Sequence, residues 1–302
     1  MNNKIFPVAI FAYNRPDHLK NLLDSLEANE ISKETDVYIF INKCEDDDVH
    51  SSILEISEED RHFKSKKVHV NAENLGIKGN LMTGINKVFE SHSAVIVLED
   101  DLELDLFYLD FMNKSLNKYA DDENIYHVNG WSYPQITKRK KVNLVGKLAL
   151  GWGWGTWKNT WEKFNQNYHD TDFINNGDVK DIKRFNFYNL SNFSRQLVMH
   201  TTKEIEGLDI FWYQFIYLNK GLTIFPGYSL VKNSGFDGSG VHCGISEDYD
   251  NKIYDIRIKT FSDKTSVDLI NEISTYVFYF KIKIKDYVSY HSKKLISVFG
   301  SN

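Results

Sequence analysis

Residues 94–103 read Ala-Val-Ile-Val-Leu-Glu-Asp-Asp-Leu-Glu, so five apolar residues run directly into three consecutive carboxylates. The apolar run is mostly β-branched and predicts a short strand buried on both faces, as in a parallel sheet covered by helices. Glu99, Asp100 and Asp101 would then lie where this strand leaves the sheet. Because ligands of open α/β sheets bind at the carboxyl ends of strands, these acids are candidates for a binding site.

Residues 94–103 by themselves favour neither of two interpretations of this acidic triplet. Three neighbouring acids repel one another and lose hydration when they are partly buried, so a partner of opposite charge must offset them. A divalent metal that carries phosphates is such a partner, since hard cations prefer carboxylate oxygens. The alternative is a solvated acidic turn that follows an ordinary strand.

Strand and helix signals alternate on both sides of this stretch. Up to the acidic triplet they follow the order strand, helix, strand, helix, strand, helix, strand, which is typical of a doubly wound parallel sheet. The sequence therefore predicts an α/β fold, with residues 170–192 as a polar, irregular connection. Strands are expected at residues 6–13, 37–42, 67–71, 94–98, 125–131 and 222–226, and helices at about 18–28, 51–56, 74–90, 104–119 and 208–217.

Composition excludes several classes of protein. With 302 residues, 42% apolar and 26% charged, the chain is long enough for one large domain or two small ones. A net charge of −6 argues against a general nucleic-acid binder. Cys44 and Cys243 form neither a disulfide framework nor a zinc site. Because we find no signal peptide and no apolar run long enough to span a bilayer, we expect a cytoplasmic protein.

Three glycine-containing segments are further candidates for ligand contact. Residues 74–80 open a helix, and backbone N–H groups at such a helix start can hold an anion. The alternating Gly151-Trp152-Gly153-Trp154 suits a sugar face or a nucleotide edge, or equally a tightly packed aromatic core. Residues 233–244 form a glycine-rich loop with His242 near its end, which is expected to wrap round a ligand or to act as a flap.

With these segments in place, the chain resembles the GT-A glycosyltransferases, sugar transferases with one Rossmann-like nucleotide-binding domain. The likeness is to the animal N-acetylglucosaminyltransferase I type, and residues 235–242 also resemble bacterial polysaccharide-cluster transferases. The resemblance covers about residues 5–245. It is carried by Tyr13-Asn14-Arg15-Pro16 after the first strand, by residues 97–103, by the Gly-Trp segment 151–154 and by Asp209 at a helix start.

The resemblance implies roles for single residues. Asp101 would ligate the Mn²⁺ (or Mg²⁺) that bridges the nucleotide diphosphate, while Glu99 and Asp100 would face the sugar and the ribose. Asp209 would be the base that deprotonates the acceptor hydroxyl in an inverting reaction, with Glu206 as the fallback. His242 is expected to reach the diphosphate or the metal. Donor contacts are expected from Ala12, Asn14, Arg15, Asn42, Asn74, Gly76, Gly79, Asn80, Glu99, Asp100 and Trp154.

Two departures from these relatives concern the nucleotide base. The relatives carry an acid that reads uracil after the second strand, where this chain has Asn42-Lys43-Cys44. They also carry an acid before the arginine, where this chain has Asn14. Both departures leave the identity of the nucleotide base undetermined. The expected donor is a UDP-sugar.

The chemistry of sugar transfer gives the same expectation independently. A nucleotide sugar has a good leaving group once its diphosphate charge is neutralised, and the acceptor hydroxyl needs a general base. We therefore expect transfer of a hexosyl or N-acetylhexosaminyl group to a hydroxyl of a glycan or lipid-linked glycan in bacterial surface polysaccharide synthesis. The alternatives are a nucleotidyltransferase that makes nucleotide sugars, and a non-catalytic carbohydrate-binding protein on the same fold.

The C-terminal part of the chain changes character. We expect residues 1–245 to form the catalytic domain, with a nucleotide-sugar half at 1–130 and an acceptor half at 131–245, and residues 246–302 to be an extension. From Tyr276 onward aromatic residues interleave with lysines, which suits a peripheral contact with an anionic membrane. The alternative is a helix or strand packed on the catalytic domain with its lysines in water, and the period-two alternation of residues 281–285 suits a strand better than an interfacial helix.

Overall fold

The computed structural model describes residues 4–137, 141–167, 173, 177–202, 207–238, 248–249, 252–263 and 265–299, with the backbone alone at 167, 290 and 292–299. Its strands are β1 (Val8–Ala12), β2 (Asp36–Ile41), β3 (Ser65–Val70), β4 (Ala94–Glu99), β5 (Leu102–Leu104), β6 (Ile125–Asn129), β7 (Asn143–Gly146), β8 (Trp154–Trp157), β9 (Leu222–Pro226) and β10 (Val231–Asn233). Its α-helices are α1 (Pro16–Glu27), α2 (Asp47–Glu58), α3 (Gly76–Phe89), α4 (Tyr108–Lys118), α5 (Lys158–Asn167), α6 (Val179–Phe185), α7 (Phe193–Thr201), α8 (Asp209–Leu218) and α9 (Leu269–Phe299).

The central layer is an eight-stranded sheet in the order β3-β2-β1-β4-β8-β6-β9-β7. Strands β3, β2, β1 and β4 are parallel neighbours, and β6 is parallel to β9. The predicted α/β fold, a mostly parallel central sheet flanked by helices, is confirmed. Strand β1 and the apolar part of β4 are buried along their whole length, as their uninterrupted apolar sequences predict.

Helix α1 shows how the flanking layer is attached. Pro16 occupies its first turn, where a missing N–H costs nothing, and Asp17 follows in the same turn. The leucines at positions 19, 22, 23 and 26 recur at helical spacing and are all fully buried. The predicted helix at 18–28 is therefore confirmed, and it starts two residues earlier, directly after Arg15.

The Gly-Trp segment leads into a strand that the sequence did not predict. Residues Trp154–Trp157 are β8, which runs antiparallel to both β4 and β6 and lies between them. Close packing explains the glycine within it, because a Cβ on Gly155 would lie 3.0 Å from the carbonyl oxygen of Val95. This strand makes the two halves expected at 1–130 and 131–245 parts of one sheet.

Two predictions about the rest of the chain are wrong. The described residues of the segment 170–192 include helix α6, which Asp178 caps by accepting from the N–H of Lys180, so it is not an irregular connection throughout. Residues 281–285 lie within helix α9 and not in a strand. Burial of Phe278, Tyr279 and other residues at helical spacing outweighs the local alternation of lysine and isoleucine. None of the described helices is both long and apolar enough to cross a membrane.

A small second sheet lies beside the end of β4. Strand β5 follows the acidic triplet and pairs antiparallel with β10, with Asn233 opposite Leu102. We expected residues 104–119 to be helical, but the helix begins only at Tyr108. This two-stranded sheet brings the start of the glycine-rich loop to the acidic triplet.

Candidate active site

The acidic triplet and Arg15 meet at one edge of the sheet. Phe11 of β1 pairs with Glu99 of β4, and the N–H of Asp100 donates to the carbonyl of Phe11 at 3.1 Å. Because the two strands are parallel neighbours, their carboxyl ends lie side by side. Arg15, which directly precedes helix α1, therefore lies within reach of the carboxylates that follow β4.

Arg15 bridges two of the three acids. Its Nη1 donates to Oδ2 of Asp101 at 3.0 Å, and its Nη2 donates to Oδ1 of Asp100. The other oxygen of Asp100 accepts from the backbone N–H of Tyr13 at 3.2 Å. Asp100 is 2% exposed, so both of its oxygens are held by protein donors. Its position is fixed by the start of α1 as much as by its own strand.

The ionisation of this group follows from its burial. Burial raises the pKa of Asp100 to about 6, with Arg15 opposing the shift and Asp101 adding to it. Burial also raises the pKa of Glu99 well above its usual value, together with the charges of Asp101 and Asp209. Burial lowers the pKa of Arg15, but Asp100 and Asp101 outweigh it and raise it above its usual value. The raised pKa values of Glu99 and Asp100 reflect burial and repulsion among the carboxylates, and a bound cation would oppose both effects.

Asp101 is held in place by the segment that follows β10. Its carbonyl accepts from the N–H of Ser234 at 2.8 Å. A Cβ on Gly235 would lie 2.2 Å from the carboxylate oxygen Oδ2 of Asp101, so a larger residue there would have to displace the carboxylate. The N–H of Gly235 in turn donates to the side chain of Asn233 at 2.8 Å. The sequence pointed to a glycine-rich loop, but it could not show that the first glycine packs on the acid.

A network of asparagines lies at the ends of β2 and β3. Asn42 donates to Asn74 at 2.6 Å and accepts from the N–H of Leu75 at 2.9 Å, while Asn71 donates to Asn80 at 2.9 Å. The backbone N–H of Asn42 donates to the carbonyl of Ala12, which ties β2 to β1. Of the expected donor contacts, Asn74 is exposed, whereas Asn42 and Asn80 are buried. These two residues stabilise residues 71–75 through the hydrogen bonds just described. Asn71 is a member that the sequence did not single out.

The remaining expected donor contacts on this side are distributed as follows. Asn14 is exposed just before Arg15. Gly76 begins helix α3 with φ +68, a conformation that favours glycine. Gly79 lies one turn further on, with room for no more than a tight Cβ contact to Leu75 at 3.0 Å. The predicted loop thus opens a helix, as expected, with Gly76 as the residue that turns the chain.

Asp209 lies across a small cleft from the acidic triplet. It is the first residue of α8 and is exposed. A Cβ on Gly151 would lie 3.2 Å from its carboxylate carbon, so the glycine gives the Asp209 side chain its space. Glu99 lines the same cleft. The other residues that line it are Leu81, Trp154, Leu208 and Trp212.

Trp154 combines the two interpretations of the Gly-Trp segment. It is 5% exposed and packs at 5.3 Å from the rings of both His127 and Trp212. That arrangement is an aromatic core. The remaining edge of the ring lines the cleft between Glu99 and Asp209. His242 and Glu206, the other two residues expected near the reaction centre, lie outside the described residues.

Asp101 fits a metal that is shared with phosphates. Within the described residues, no cluster of three or more His, Cys, Asp or Glu side chains is arranged to hold a metal by itself. A single carboxylate suits Mg²⁺ or Mn²⁺ that takes its other ligands from phosphate oxygens and water. Asp101 is such a carboxylate, 13% exposed and at the open edge of the sheet.

Comparison with known proteins agrees with this geometry. The sequence profile described as Glycosyl transferase family 2 matches residues 8–175, more than half of the chain. The chain belongs to glycosyl transferase family 2. The matched residues include both β1 with Arg15 and β4 with the acidic triplet. No curated protein matches the chain significantly by sequence.

Two solved structures show a weak similarity to this chain. The mannosyltransferase PcManGT from Pyrobaculum calidifontis, in complex with GDP-Man and Mn²⁺, is 12% identical over 53% of this chain and 47% of its own, with a TM-score of 0.38. Residues 1–349 of S. aureus TarS are 12% identical over 76% of this chain and 61% of theirs, with a TM-score of 0.44. This chain thus spans about half to three fifths of these two proteins.

Proposed function

We propose that this family 2 member transfers a sugar from a nucleotide-sugar donor to a hydroxyl of a glycan or lipid-linked glycan, with inversion at the anomeric carbon. The observation that carries the proposal is a cleft lined by two carboxylates, Glu99 of the acidic triplet and Asp209 at the start of α8. Asp101, with Arg15 and Asp100, adjoins Glu99 at the carboxyl ends of β1 and β4. The acidic triplet would serve the donor and Asp209 the acceptor.

The donor side is assigned by charge and position. Asp101 would hold a Mn²⁺ or Mg²⁺ ion, which when bound neutralises charge on the leaving diphosphate. Arg15 donates hydrogen bonds to both Asp100 and Asp101, so the carboxylate of Asp101 is oriented before the donor binds. Glu99 lines the cleft and would contact the sugar. Asn74, Gly76 and their helix start would contact the nucleotide.

The acceptor side depends on Asp209. A hydroxyl is a poor nucleophile, and a carboxylate within hydrogen-bond reach can take its proton as the new bond forms. The close approach of Gly151 leaves the Asp209 carboxylate facing the cleft and not covered by a side chain. We further propose that residues 235–244 close over the bound donor and bring His242 to the diphosphate or the metal.

A donor assay tests the proposal and its alternatives together. Purified protein is incubated with UDP-sugars and GDP-sugars with Mn²⁺, Mg²⁺ or EDTA, and release of nucleoside diphosphate is measured. We expect metal-dependent release that an added acceptor glycan increases. Release of pyrophosphate from a nucleoside triphosphate and a sugar phosphate would indicate a nucleotidyltransferase instead. Saccharide binding without turnover of any donor would indicate a non-catalytic protein.

The identity of the nucleotide rests on residues at the end of β2. Asn42 is engaged with Asn74 and Leu75, and Lys43 pairs with Asp47 at 3.1 Å. We propose UDP as the donor nucleotide and hexosyl or N-acetylhexosaminyl as the sugar, as in the N-acetylglucosaminyltransferase I type. Thermal shifts with UDP, GDP, CDP and dTDP at equal concentration, each with Mn²⁺, rank the bases, since stabilisation follows concentration over affinity.

Helix α9 presents an apolar stripe on its outer face. The stripe is formed at helical spacing by Ile273, Tyr276, Phe280, Ile284 and Tyr287, of which Tyr287 is 66% exposed. Lys281 and Lys283 border it on the two sides, while Phe278 and Tyr279 face the opposite way and are buried. An apolar face between lysines fits an anionic lipid surface. We propose that 1–245 acts as the catalytic domain and that the extension 246–302 docks it on the cytoplasmic face of a membrane, in bacterial surface polysaccharide synthesis.

Sedimentation with phosphatidylcholine vesicles, with and without phosphatidylglycerol, tests this docking. We expect binding to anionic vesicles at low salt that the double change Phe280→Glu and Ile284→Glu removes. Val179→Glu, at an 81% exposed position on α6, is the matched control and should bind like the unaltered chain. Equal sedimentation of all three proteins would refute the docking. A truncation before Tyr276 is unsuitable, since it would also remove the buried Phe278 and Tyr279.

A further inference from the structure

A second cavity lies at the far end of α8 from Asp209. Its volume is about 480 Å³, and it is bounded by α6, the C-terminal half of α8, the start of β9 and the first turns of α9. Strand β9 runs in the same direction as β4, because β6 is parallel to β9 and β8 is antiparallel to both β4 and β6. Leu222 at the start of β9 therefore lies on the opposite edge of the sheet from Glu99. From Asp209 to Leu218 the helix rises by about 14 Å, which separates the cavity from the reaction centre.

Five aromatic rings lie in the cavity wall. Tyr188, Tyr213 and Tyr217 line it together with Phe173 and Phe187. Tyr213 stacks on Phe185 at 4.9 Å and donates its hydroxyl to the carbonyl of Phe185 at 3.0 Å, so this ring is held rigidly. Tyr188 is different, because it is 49% exposed and leaves its ring available to a ligand. The wall therefore combines fixed rings with one accessible ring.

Charged groups of both signs lie on the same wall. Glu272 of α9 has a side chain only 15% exposed and pairs with Lys147 at 3.4 Å. Asp181 pairs with Arg184 at 3.4 Å on α6. The two acids thus balance two of the cations that line the cavity. This near-neutral, mixed set of donors and acceptors suits uncharged hydroxyl groups better than a phosphate.

The chain is strained where it reaches this cavity. Phe187, Tyr188 and Asn189 follow one another with φ values of +46, +60 and +64. Three consecutive non-glycine residues in the left-handed region are unfavourable, and such strain is concentrated at ligand clamps and active sites. The turn presents the ring of Tyr188 beside that of Phe187, with centroids 5.6 Å apart. A relaxed turn would direct the Tyr188 ring elsewhere.

We propose that this cavity is a second saccharide site, which holds part of a glycan away from the reaction centre. A sugar ring has an apolar face of C–H groups that packs on aromatic rings, and a rim of hydroxyls that bonds to carboxylate, guanidinium and ammonium groups. The Tyr188 ring supplies the stacking face, and Glu272 accepts from hydroxyls. The site rests on its own cavity and not on the proposed transfer reaction.

Saturation-transfer difference NMR tests the site with the full-length chain. The probes are the methyl glycosides of glucose, galactose, mannose and N-acetylglucosamine, together with maltose and chitobiose. We expect transfer to the protons of at least one saccharide, and we expect Tyr188→Ala and Glu272→Gln each to weaken its binding by about tenfold, as loss of a stacking or charged contact does. Tyr287→Ala removes a comparably exposed ring outside the cavity and should leave binding unchanged.

Two further samples separate this site from the reaction centre. Asp101→Asn, and the unaltered chain with UDP and Mn²⁺, should both retain the saccharide signal that Tyr188→Ala weakens. Loss of the signal in these samples would place the saccharide at the donor cleft and overturn the proposal, as would the absence of transfer from every probe. Failure of nucleotide binding alone would contradict the proposed transfer reaction and leave the second site supported.

Discussion

Gly235 packs so closely on Asp101 that a Cβ atom at position 235 would lie 2.2 Å from Oδ2 of the carboxylate and 3.1 Å from Nη1 of Arg15. The small sheet of β5 and β10 creates this contact, since Asp101 precedes β5 and Gly235 follows β10 at the end of the pair where Asn233 lies opposite Leu102. The glycine and the acid therefore form one unit, and a change at the glycine must move the acid or the arginine.

The first prediction is that Gly235→Ala weakens Mn²⁺-dependent binding of UDP without unfolding the chain. The added methyl group must displace the Asp101 carboxylate or Arg15, and a misplaced ligand group loses on the order of tenfold or more in affinity. Isothermal titration with UDP and Mn²⁺ measures the loss. Lys232→Ala, on the adjacent strand, is the control that should bind normally.

The second prediction concerns the acid itself. Asp101→Asn should abolish Mn²⁺-dependent binding of nucleoside diphosphate while leaving the fold intact, because the residue follows the end of a strand and lies outside the core. The change also removes repulsion with Asp100 and Glu99, which should offset the lost pairing with Arg15. Circular dichroism checks the fold and titration checks the binding. Binding equal to that of the unaltered chain would refute the metal assignment.

The third prediction is that Asp209→Asn reduces turnover by about a hundredfold or more, with donor affinity unchanged, as expected for loss of a general base. Asp48→Asn removes an exposed acid from the first turn of α2 and controls for the effect of a helix N-terminus on stability. The measurement is kcat and KM for the donor with folded fraction determined separately. If Asp209→Asn loses stability but keeps full turnover, the acid only stabilises its helix.

The fourth prediction is a pH-dependent gain in stability for Glu99→Gln. The folded pKa of Glu99 lies well above the ordinary value of 4.5, so its ionisation destabilises the folded state. The contribution of Glu99 to the free energy of unfolding should therefore fall as the pH rises from 4.5 towards the pKa of Glu99 in the folded state. Glu99→Gln should match the unaltered chain below about pH 4 and exceed it increasingly at higher pH. Urea unfolding across pH 4 to 9 measures the difference, and a constant difference would contradict the prediction.

The fifth prediction concerns the strained turn at the second cavity. Tyr188→Gly should be more stable than Tyr188→Ala by about 1 kcal/mol, because glycine adopts positive φ without steric cost and alanine does not. At Tyr276, inside helix α9, the order should reverse, with the alanine variant more stable by about 1 kcal/mol. Urea unfolding of the four variants measures both differences. The same order at both positions would show that the turn is not strained.

The sequence was sufficient for those parts of the site that depend on neighbouring residues. The apolar run before Glu99 predicted β4, and the carboxyl end of that strand carries the acids, as expected. Arg15 and Asp209 were singled out by the resemblance to GT-A glycosyltransferases, in which similar residues lie near the nucleotide and act as the base. Their positions, after a strand break and at a helix start, are local patterns, but their roles remain proposals.

Other parts of the site depend on residues that are distant in sequence. The contact of Gly235 with Asp101 joins positions 134 residues apart, and nothing in the loop composition identifies the partner. The hydrogen bond of Asn71 to Asn80 arises because β3 and α3 meet there. Helix α9 was misread for the same reason, since burial of Phe278 and Tyr279 against the domain decided its conformation.

Strand β8 determines how the chain can be divided. It supplies hydrogen bonds to β4 on one side and to β6 on the other, although it follows both in the sequence. A fragment that stops near residue 130 would leave β4, with its five apolar residues, as an unprotected sheet edge. Such edges pair with other chains and aggregate. We therefore expect that residues 1–130 do not fold as an independent unit, and a split expression system would have to supply β8 together with them.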